Sequence, residues 1–421
     1  MKRIKPINRL EGKVRIPGSK SITHRAVIAA SLARGESIIK NYLSCEDTLY
    51  TQNALRELGV KILEMGDDLK IIGQGDDFDT PNTRKEIFMG NSGTSFRLLL
   101  SVIALGRGDF IITGVDRMLK RPIGALVKTV RQLGVDAVCV DNNDCPPVNI
   151  KANGINGGKA SIPGNQSSQF ISSILLSGPY TKKGVELEIE GKLVSSPYVD
   201  ITIDVMKAFG INVEQDGYHY FKVDGGHSYC PTIFNVQGDI SSASYFWAVA
   251  AVTGGSMITE NIYPFGTSQG DLGFLNVLAK MGCFIDKKSD SVKIKGGELR
   301  GIDVDMSSMP DMVPTLAAIA LFAKGRTRIL NVPHLRFKES DRLKAVATEW
   351  QKLGGKIDEL DDGLIIHGRH SLNGETVDPH NDHRLAMSLA VIGSKIPGIE
   401  IKDTNCVAKS FPNFWELWDN L

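Results

Sequence analysis

Leu55-Arg-Glu-Leu-Gly59-Val60 is written, with variations, five times along the chain. It recurs as Val130-Arg-Gln-Leu-Gly134-Val135, Met206-Lys-Ala-Phe-Gly210-Ile211, Leu278-Ala-Lys-Met-Gly282-Cys283 and Trp350-Gln-Lys-Leu-Gly354-Gly355. Successive glycines lie 75, 76, 72 and 72 residues apart. Glycine just past a helix end accepts a left-handed conformation that a Cβ opposes, so each copy reads as helix stop followed by strand start. A second series runs between these copies, at residues 21–35, 93–106, 167–178, 241–254, 312–325 and 381–393. Each is rich in Ala, Leu, Ile or Ser, closes at a Gly, and mostly leads into a strand-like run such as Ser37-Ile-Ile39 or Phe110-Ile-Ile-Thr113. Segments apolar nearly all round predict helices buried inside their own units. Six helices at spacings near 70 residues predict six copies of an α/β unit, arranged as two halves of three. The break falls near Gly238-Asp239-Ile240.

The composition sets bounds around this frame. A chain of 421 residues is too long for one ordinary core. At 42% hydrophobic and 23% charged residues it reads as a soluble globular protein. Apolar runs are too short to cross a bilayer, and Met1-Lys-Arg-Ile-Lys-Pro6 has no apolar secretory region, so a cytoplasmic enzyme without membrane association is expected. The six cysteines are scattered, with no CxxC pair, and read as reduced thiols. A net charge of +1 argues against nucleic acid as partner. Affinity for anions must come from local clusters.

Those clusters sit where the buried helices begin. A helix start offers unpaired N–H groups and the positive end of the dipole, which suits phosphate and carboxylate. Pro17-Gly-Ser-Lys20-Ser21-Ile-Thr-His-Arg25 opens the first, with Ser21 and Arg25 on one face. It is not a phosphate-binding P-loop, because Ser19 separates Gly18 from Lys20. Gly90-Asn91-Ser-Gly93-Thr94-Ser-Phe-Arg97 opens the second, and Met118-Leu-Lys-Arg121-Pro122 follows it. Gly164-Asn-Gln-Ser167-Ser168-Gln169 opens the third. The second half adds Met309-Pro-Asp311, Lys338-Glu339-Ser-Asp-Arg342, Asn381-Asp382-His383-Arg384 and Ala408-Lys409. Any one of these alone is weak evidence, since Ser is a routine helix cap. His380 and His383 lack a third ligand at usual spacing, so no metal is expected. Gathered together, Lys20, Arg25, Arg97, Arg121, Lys338, Arg342, Arg384 and Lys409 predict strongly anionic ligands, with Asp311, Glu339 and His383 as proton-transfer groups.

In this order, with Arg121-Pro-Ile123 and Ser195-Ser-Pro-Tyr198 added, the motifs resemble the enolpyruvyl transferase family, specifically its shikimate branch, over the whole chain. The resemblance implies an α/β fold of two similar domains, each of three βαβαββ units around buried parallel helices, an inside-out α/β barrel. It places one domain at 1–18 and 240–421 and the other at 19–239, hinged near 18–20 and 238–241, with helix starts facing an interdomain cleft. It implies transfer of the enolpyruvyl group of phosphoenolpyruvate to the 5-hydroxyl of shikimate 3-phosphate by addition and elimination, in aromatic amino acid biosynthesis, without cofactor or metal.

The resemblance also implies roles. Shikimate 3-phosphate falls to Lys20, Ser21, Arg25, Ser167, Ser168, Gln169, Ser195, Tyr198, Asp311, His334 and Lys338. Phosphoenolpyruvate falls to Lys20, Gly93, Thr94, Gln169, Arg121, Arg342, Arg384 and Lys409. Asp311 acts toward the 5-hydroxyl, Lys20 and Glu339 move protons, and His383 is a further acid–base candidate. His334 stands where many members carry Asn, and Leu98 where many carry Pro. Gly93 keeps the small residue of glyphosate-sensitive members, so inhibition by glyphosate is expected, as is a monomer. The UDP-N-acetylglucosamine branch typically has Lys-Asn at the first helix and a reactive Cys in the loop corresponding to 118–121. Here Ser21 follows Lys20 and that loop has no Cys. A non-catalytic relative remains the alternative of another class, although Lys20, Asp311 and Glu339 are all present.

Overall fold

A computed structural model of the chain describes residues 1–8, 10–78 and 84–421. In chain order the helices of the first part are α1 (Lys20–Leu32), α2 (Glu46–Glu57), α3 (Gly93–Leu105), α4 (Gly124–Gln132), α5 (Ser168–Ser177) and α6 (Pro197–Ala208). They continue with α7 (Ile240–Thr253), α8 (Phe274–Met281), α9 (Val313–Ala320), α10 (Arg342–Lys352), α11 (His383–Gly393) and α12 (Phe414–Asp419). No helix among the described residues is long and apolar enough to cross a membrane.

The odd-numbered helices α1 to α11 are the buried series read from the sequence, all but α9 within a few residues of the expected limits at their C-terminal ends. Their residues are buried nearly throughout, as in α7, where every position from Ile240 to Val252 is buried. With no polar face to offer water, such helices gain stability only inside a core. The alternating helices α2, α4, α6, α8 and α10 have one exposed face, and each ends at a glycine of the repeat. Gly59, Gly134, Gly210, Gly282 and Gly354 have φ between 85° and 111°.

One repeat shows the common plan. Lys85–Phe88, α3, Arg107–Thr113, α4, Asp136–Cys139 and Val148–Asn153 follow one another as βαβαββ. Lys85–Phe88 pairs parallel with Arg107–Thr113, which pairs antiparallel with Val148–Asn153, and Asp136–Cys139 closes the other edge. The same order recurs around α5 and α6, and again around α9 and α10. Two repeats are completed by strands from far along the chain. Gly35–Lys40 takes its parallel partner from Ile233–Asn235, and Ser256–Glu260 takes its own from Glu11–Arg15. The sixth differs from the expected plan. Its sheet has three strands, with Lys2–Arg3 antiparallel and Thr376–Val377 parallel to Glu400–Ile401, because residues after Ile401 form a 3₁₀ turn and α12 instead of a hairpin.

The chain divides into two compact units, Met1–Pro17 with Gln237–Leu421, and Gly18–Val236. Each has its own hydrophobic core. The two crossing points repeat one device. Beyond Gly35–Lys40, Asn41 is left-handed (φ 54°) and its Nδ2 donates to Val236 O at 2.6 Å. Beyond Ser256–Glu260, Asn261 is left-handed (φ 66°) and donates to Ile16 O at 2.8 Å. Asn tolerates that conformation better than most side chains, and in both places its amide fastens the end of the strand received from elsewhere.

Candidate active site

In the unit of residues 18–236, α1, α3 and α5 pack on one another, and α3 and α5 are linked at their first turns through Thr94 and Gln169. Lys20 opens α1 and its Nζ lies 2.9 Å from Asp47 Oδ2 on the first turn of α2, with side chains only 12% and 2% exposed. The main chain of Asp47 is held in turn, since Ser95 Oγ on α3 donates to its carbonyl at 2.9 Å and accepts from Thr51 Oγ1 at 2.9 Å. Thr51 thereby uses its only proton, so His24 Nδ1, 2.8 Å away, is the donor to it.

Arg25 is buried and crosses three helices. Its Nε donates to Thr202 Oγ1 at 2.6 Å, and Nη2 donates to Ser172 Oγ and to the Tyr198 carbonyl. Burial lowers its pKa to about 10, which still leaves it charged at neutral pH. Gln169 on α5 donates from Nε2 to Thr94 Oγ1 at 2.9 Å and accepts from Arg97 Nη1 at 3.0 Å. Arg97 also lies over the Phe170 ring, 5.5 Å from its centroid. Arg97, grouped with the anion-binding cations in the sequence, thus orients Gln169. Arg121 Nη1 donates to the Asn91 carbonyl at 3.0 Å, and its guanidinium fills the space beside Gly93. Ser21, Ser167 and Tyr198 are half-buried at the helix starts, with Ser168 buried beside them. Ser195 is buried with φ 53°, a conformation that a non-glycine residue keeps only when its surroundings impose it.

In the unit of residues 1–17 and 237–421, Arg342 is the hub. Its guanidinium is 1% exposed and meets three carboxylates at 2.8 Å each: Asp311 from Nη1, Glu339 from Nη2 and Asp382 from Nε. Arg384 Nη2 reaches the other oxygen of Asp311 at 2.8 Å. Asp382 also caps α11 by accepting from Arg384 N, and takes the Ser340 hydroxyl. Burial alone would raise the Asp311 carboxyl, but Arg384, Lys338 and Arg342 outweigh it and hold Asp311 well below the usual carboxylate range. Burial likewise opposes charge on Arg342, and Asp382, Glu339 and Asp311 reverse that. His334 is pushed down to about 3, first by burial and then by Lys338, so it is neutral at physiological pH. His383, 1% exposed, lies with Nδ1 3.8 Å from Asp382 Oδ1. Lys409 is buried at the end of the 3₁₀ turn Thr404–Lys409. His380 pairs with the buried Glu349 at 2.9 Å.

Each unit thus brings its own share of the named residues to the starts of its helices and to the turns beside them. Sequence reasoning missed the partners that hold them: Asp47 for Lys20, Thr202 and Ser172 for Arg25, Asn91 for Arg121, Asp382 for Arg342. Asp47 looks in the sequence like any acid on a first helical turn, where the dipole favours it. Only the folded path of α2 aims it at Lys20.

Repeated βαβαββ units carry guanidinium, ammonium and carboxylate groups at helix starts and adjoining turns, as the resemblance to the enolpyruvyl transferases implies. A family model described as EPSP synthase (3-phosphoshikimate 1-carboxyvinyltransferase) matches residues 4–418. A 3-phosphoshikimate 1-carboxyvinyltransferase of Syntrophobacter fumaroxidans is 42% identical over 100% of this chain and 99% of its own length. One from a Sulfurovum species is 39% identical over 99% of this chain and 98% of its own. The solved EPSP synthase of Acinetobacter baumannii superposes with a TM-score of 0.83 at 30% identity, covering 99% of this chain and 97% of that one. The chain belongs to the EPSP synthase family.

Proposed function

We propose that this enzyme transfers the enolpyruvyl group of phosphoenolpyruvate to the 5-hydroxyl of shikimate 3-phosphate, releasing phosphate, as a step of aromatic amino acid biosynthesis. The observation that carries the reading is the buried constellation of Arg342, Arg384 and Asp311, in which two guanidinium groups share one carboxylate at 2.8 Å. Two guanidinium groups on one carboxylate leave a net positive charge. An arriving phosphate or carboxylate would compete with Asp311 for both cations.

That competition suggests how one carboxylate acts at two stages. Held by two cations, Asp311 binds a proton too weakly to be a useful base. Once phosphoenolpyruvate occupies Arg342 and Arg384, their charge is shared, and the proton affinity of Asp311 rises toward what abstraction from a hydroxyl requires. The substrate thereby arms the base. In the same unit Glu339, held by Nη2 of Arg342, moves the proton to and from the methylene carbon, Lys338 and His334 take shikimate 3-phosphate, and Lys409 takes phosphoenolpyruvate. His383 stands beside Asp382 as a further acid–base group.

In the unit of residues 18–236, Lys20 serves both substrates and shares the proton transfer with Glu339, with Asp47 holding its ammonium. Ser21, Arg25, Ser167, Ser168, Gln169, Ser195 and Tyr198 take shikimate 3-phosphate. Gly93, Thr94, Arg121 and Gln169 take phosphoenolpyruvate. The reaction proceeds by protonation of the methylene carbon, attack of the hydroxyl on the adjacent carbon, and loss of phosphate from the tetrahedral adduct. Preorganised cations stabilise the charge that gathers on the departing phosphate. We take the enzyme to be a cytoplasmic monomer inhibited by glyphosate in competition with phosphoenolpyruvate.

Phosphate release is the test. It is expected with phosphoenolpyruvate and shikimate 3-phosphate, and not when UDP-N-acetylglucosamine is the acceptor. Lys20→Met and Glu339→Gln are each expected to lower kcat by roughly 10²–10⁴-fold while circular dichroism stays unchanged. Full turnover by either variant would refute its role.

A further inference from the structure

Asp271 lies outside every motif considered so far. It sits in the 3₁₀ turn Gly270–Gly273, is 6% exposed, and accepts the hydroxyl of Ser241 on the first turn of α7 at 2.5 Å. With its proton committed to Asp271, Ser241 Oγ turns a lone pair toward Arg384, whose Nη2 lies 3.4 Å away. The two N–H bonds of Nη2 are thus divided between Asp311 and Ser241. The turn carrying Asp271 is fastened to the same helix start by its neighbour. Gln269 Oε1 accepts from Ile240 N at 3.2 Å and its Nε2 donates to Gly238 O at 2.9 Å.

We propose that Asp271 is a positioning residue for phosphoenolpyruvate, orienting Arg384 through Ser241 and weakening its pull on the substrate anion when ionised. The inference rests on the functional reading above, which gives phosphoenolpyruvate to Arg384. The charged and titratable groups facing Asp271 are Asp239, which caps α7, Asp311 from the 3₁₀ turn before α9, and Arg384 from α11. Arg342 on α10 and Tyr245 on α7 belong to the same charge network. Burial, reinforced by the like charge of Asp311, raises the Asp271 carboxyl to about 7, against the pull of Arg384. Below that pH the group is neutral and Arg384 attracts anions undiminished. Above it, a second buried carboxylate competes for the same guanidinium. A bound anion shifts the balance back by favouring the protonated acid.

The test is kcat/KM for phosphoenolpyruvate at saturating shikimate 3-phosphate, from about pH 6 to about pH 9, in the wild type and in Asp271→Asn. Asparagine can still accept from Ser241 but cannot ionise. The wild type is expected to lose on the order of three- to tenfold across this range through a rise in KM, and the variant to lack that limb. The substrates' own ionisations fall equally on both proteins. Superposed profiles, or an effect confined to kcat, would overturn the inference alone. A wild type that releases no phosphate at any pH would overturn the functional reading and this inference with it. Should Asp271→Asn fail to fold, Ser241→Ala carries the test. A several-fold higher KM with kcat retained supports the relay, and an unchanged KM refutes it.

Discussion

At Gly93 the absence of a side chain is what gives Arg121 its place. A Cβ built there would lie 2.5 Å from Arg121 Nη2 and 2.6 Å from Cζ. The obstructing atoms are the far end of a flexible side chain, so the guanidinium would yield before the backbone of α3. Gly93→Ala is therefore expected to fold normally, with a melting temperature near that of the wild type. Its KM for phosphoenolpyruvate should rise by roughly ten-fold as Arg121 moves off its Asn91 anchor, a shift of about 1.4 kcal/mol in binding. Steady-state kinetics at saturating shikimate 3-phosphate decide the matter, and an unaltered KM would remove Arg121 from the phosphoenolpyruvate set. At this scale the sequence revealed the charges but not their tethers. Lys20, Arg342, Arg384, Asp311 and Glu339 could be named from motifs, whereas the pairing of Asp47 with Lys20 and of Asp382 with Arg342 joins distant helices. His334 shows the same limit. Its identity was visible in the sequence, but its neutrality follows from burial beside Lys338, which only the fold creates.

Among the elements, helix ends are the most legible feature. The glycine that follows each outer helix is favoured by its left-handed backbone whatever its tertiary partners, so its spacing exposes the repeat. Gly254 and Gly282 separate the two reasons for glycine. Gly254, after α7, has φ 72° and nothing within 4 Å of a built Cβ, so Gly254→Ala is expected to cost about 1 kcal/mol for the left-handed conformation alone. Gly282, after α8, has φ 111° and a built Cβ only 2.4 Å from the Glu298 carbonyl oxygen. Its replacement by Ala should cost more, about 2–4 kcal/mol, because backbone must move as well. Urea denaturation of the two variants tests the ranking, and equal losses would mean that the Glu298 segment gives way freely. The strands were less legible. Lys85–Phe88 finds its partner within its own repeat, but nothing local tells Glu11–Arg15 to pair with Ser256–Glu260. The three-stranded sixth sheet was also invisible, because the residues after Ile401 still satisfy a generic α/β pattern.

For the molecule as a whole, the exchange of strands determines which residues depend on which. The unit Gly18–Val236 is one continuous stretch, whereas the other needs residues 1–17 together with 237–421. Deleting residues 1–16 removes a parallel strand from the sheet of Ser256–Glu260 and the Lys2–Arg3 edge from the sixth sheet. It also takes away Ile4, Leu10, Val14 and Ile16, all buried in that core. At about 1.5–3 kcal/mol for each such side chain, the loss approaches the whole stability of an ordinary domain. Hydrogen exchange on the truncated chain should show lost protection across residues 237–421 and retained protection within 18–236. Uniform loss in both would contradict this division of the core.

Arg15 is paired with Glu260, so Glu11–Arg15 has no partner until about 240 further residues have been made. At roughly 5–20 residues per second, the ribosome leaves Glu11–Arg15 unsatisfied for on the order of ten seconds or more. Throughout that interval the nascent chain carries an exposed template for mispairing. The alternation of Glu11, Lys13 and Arg15 with Gly12 and Val14 gives the waiting ribbon a charged flank, the composition that discourages edge-to-edge aggregation.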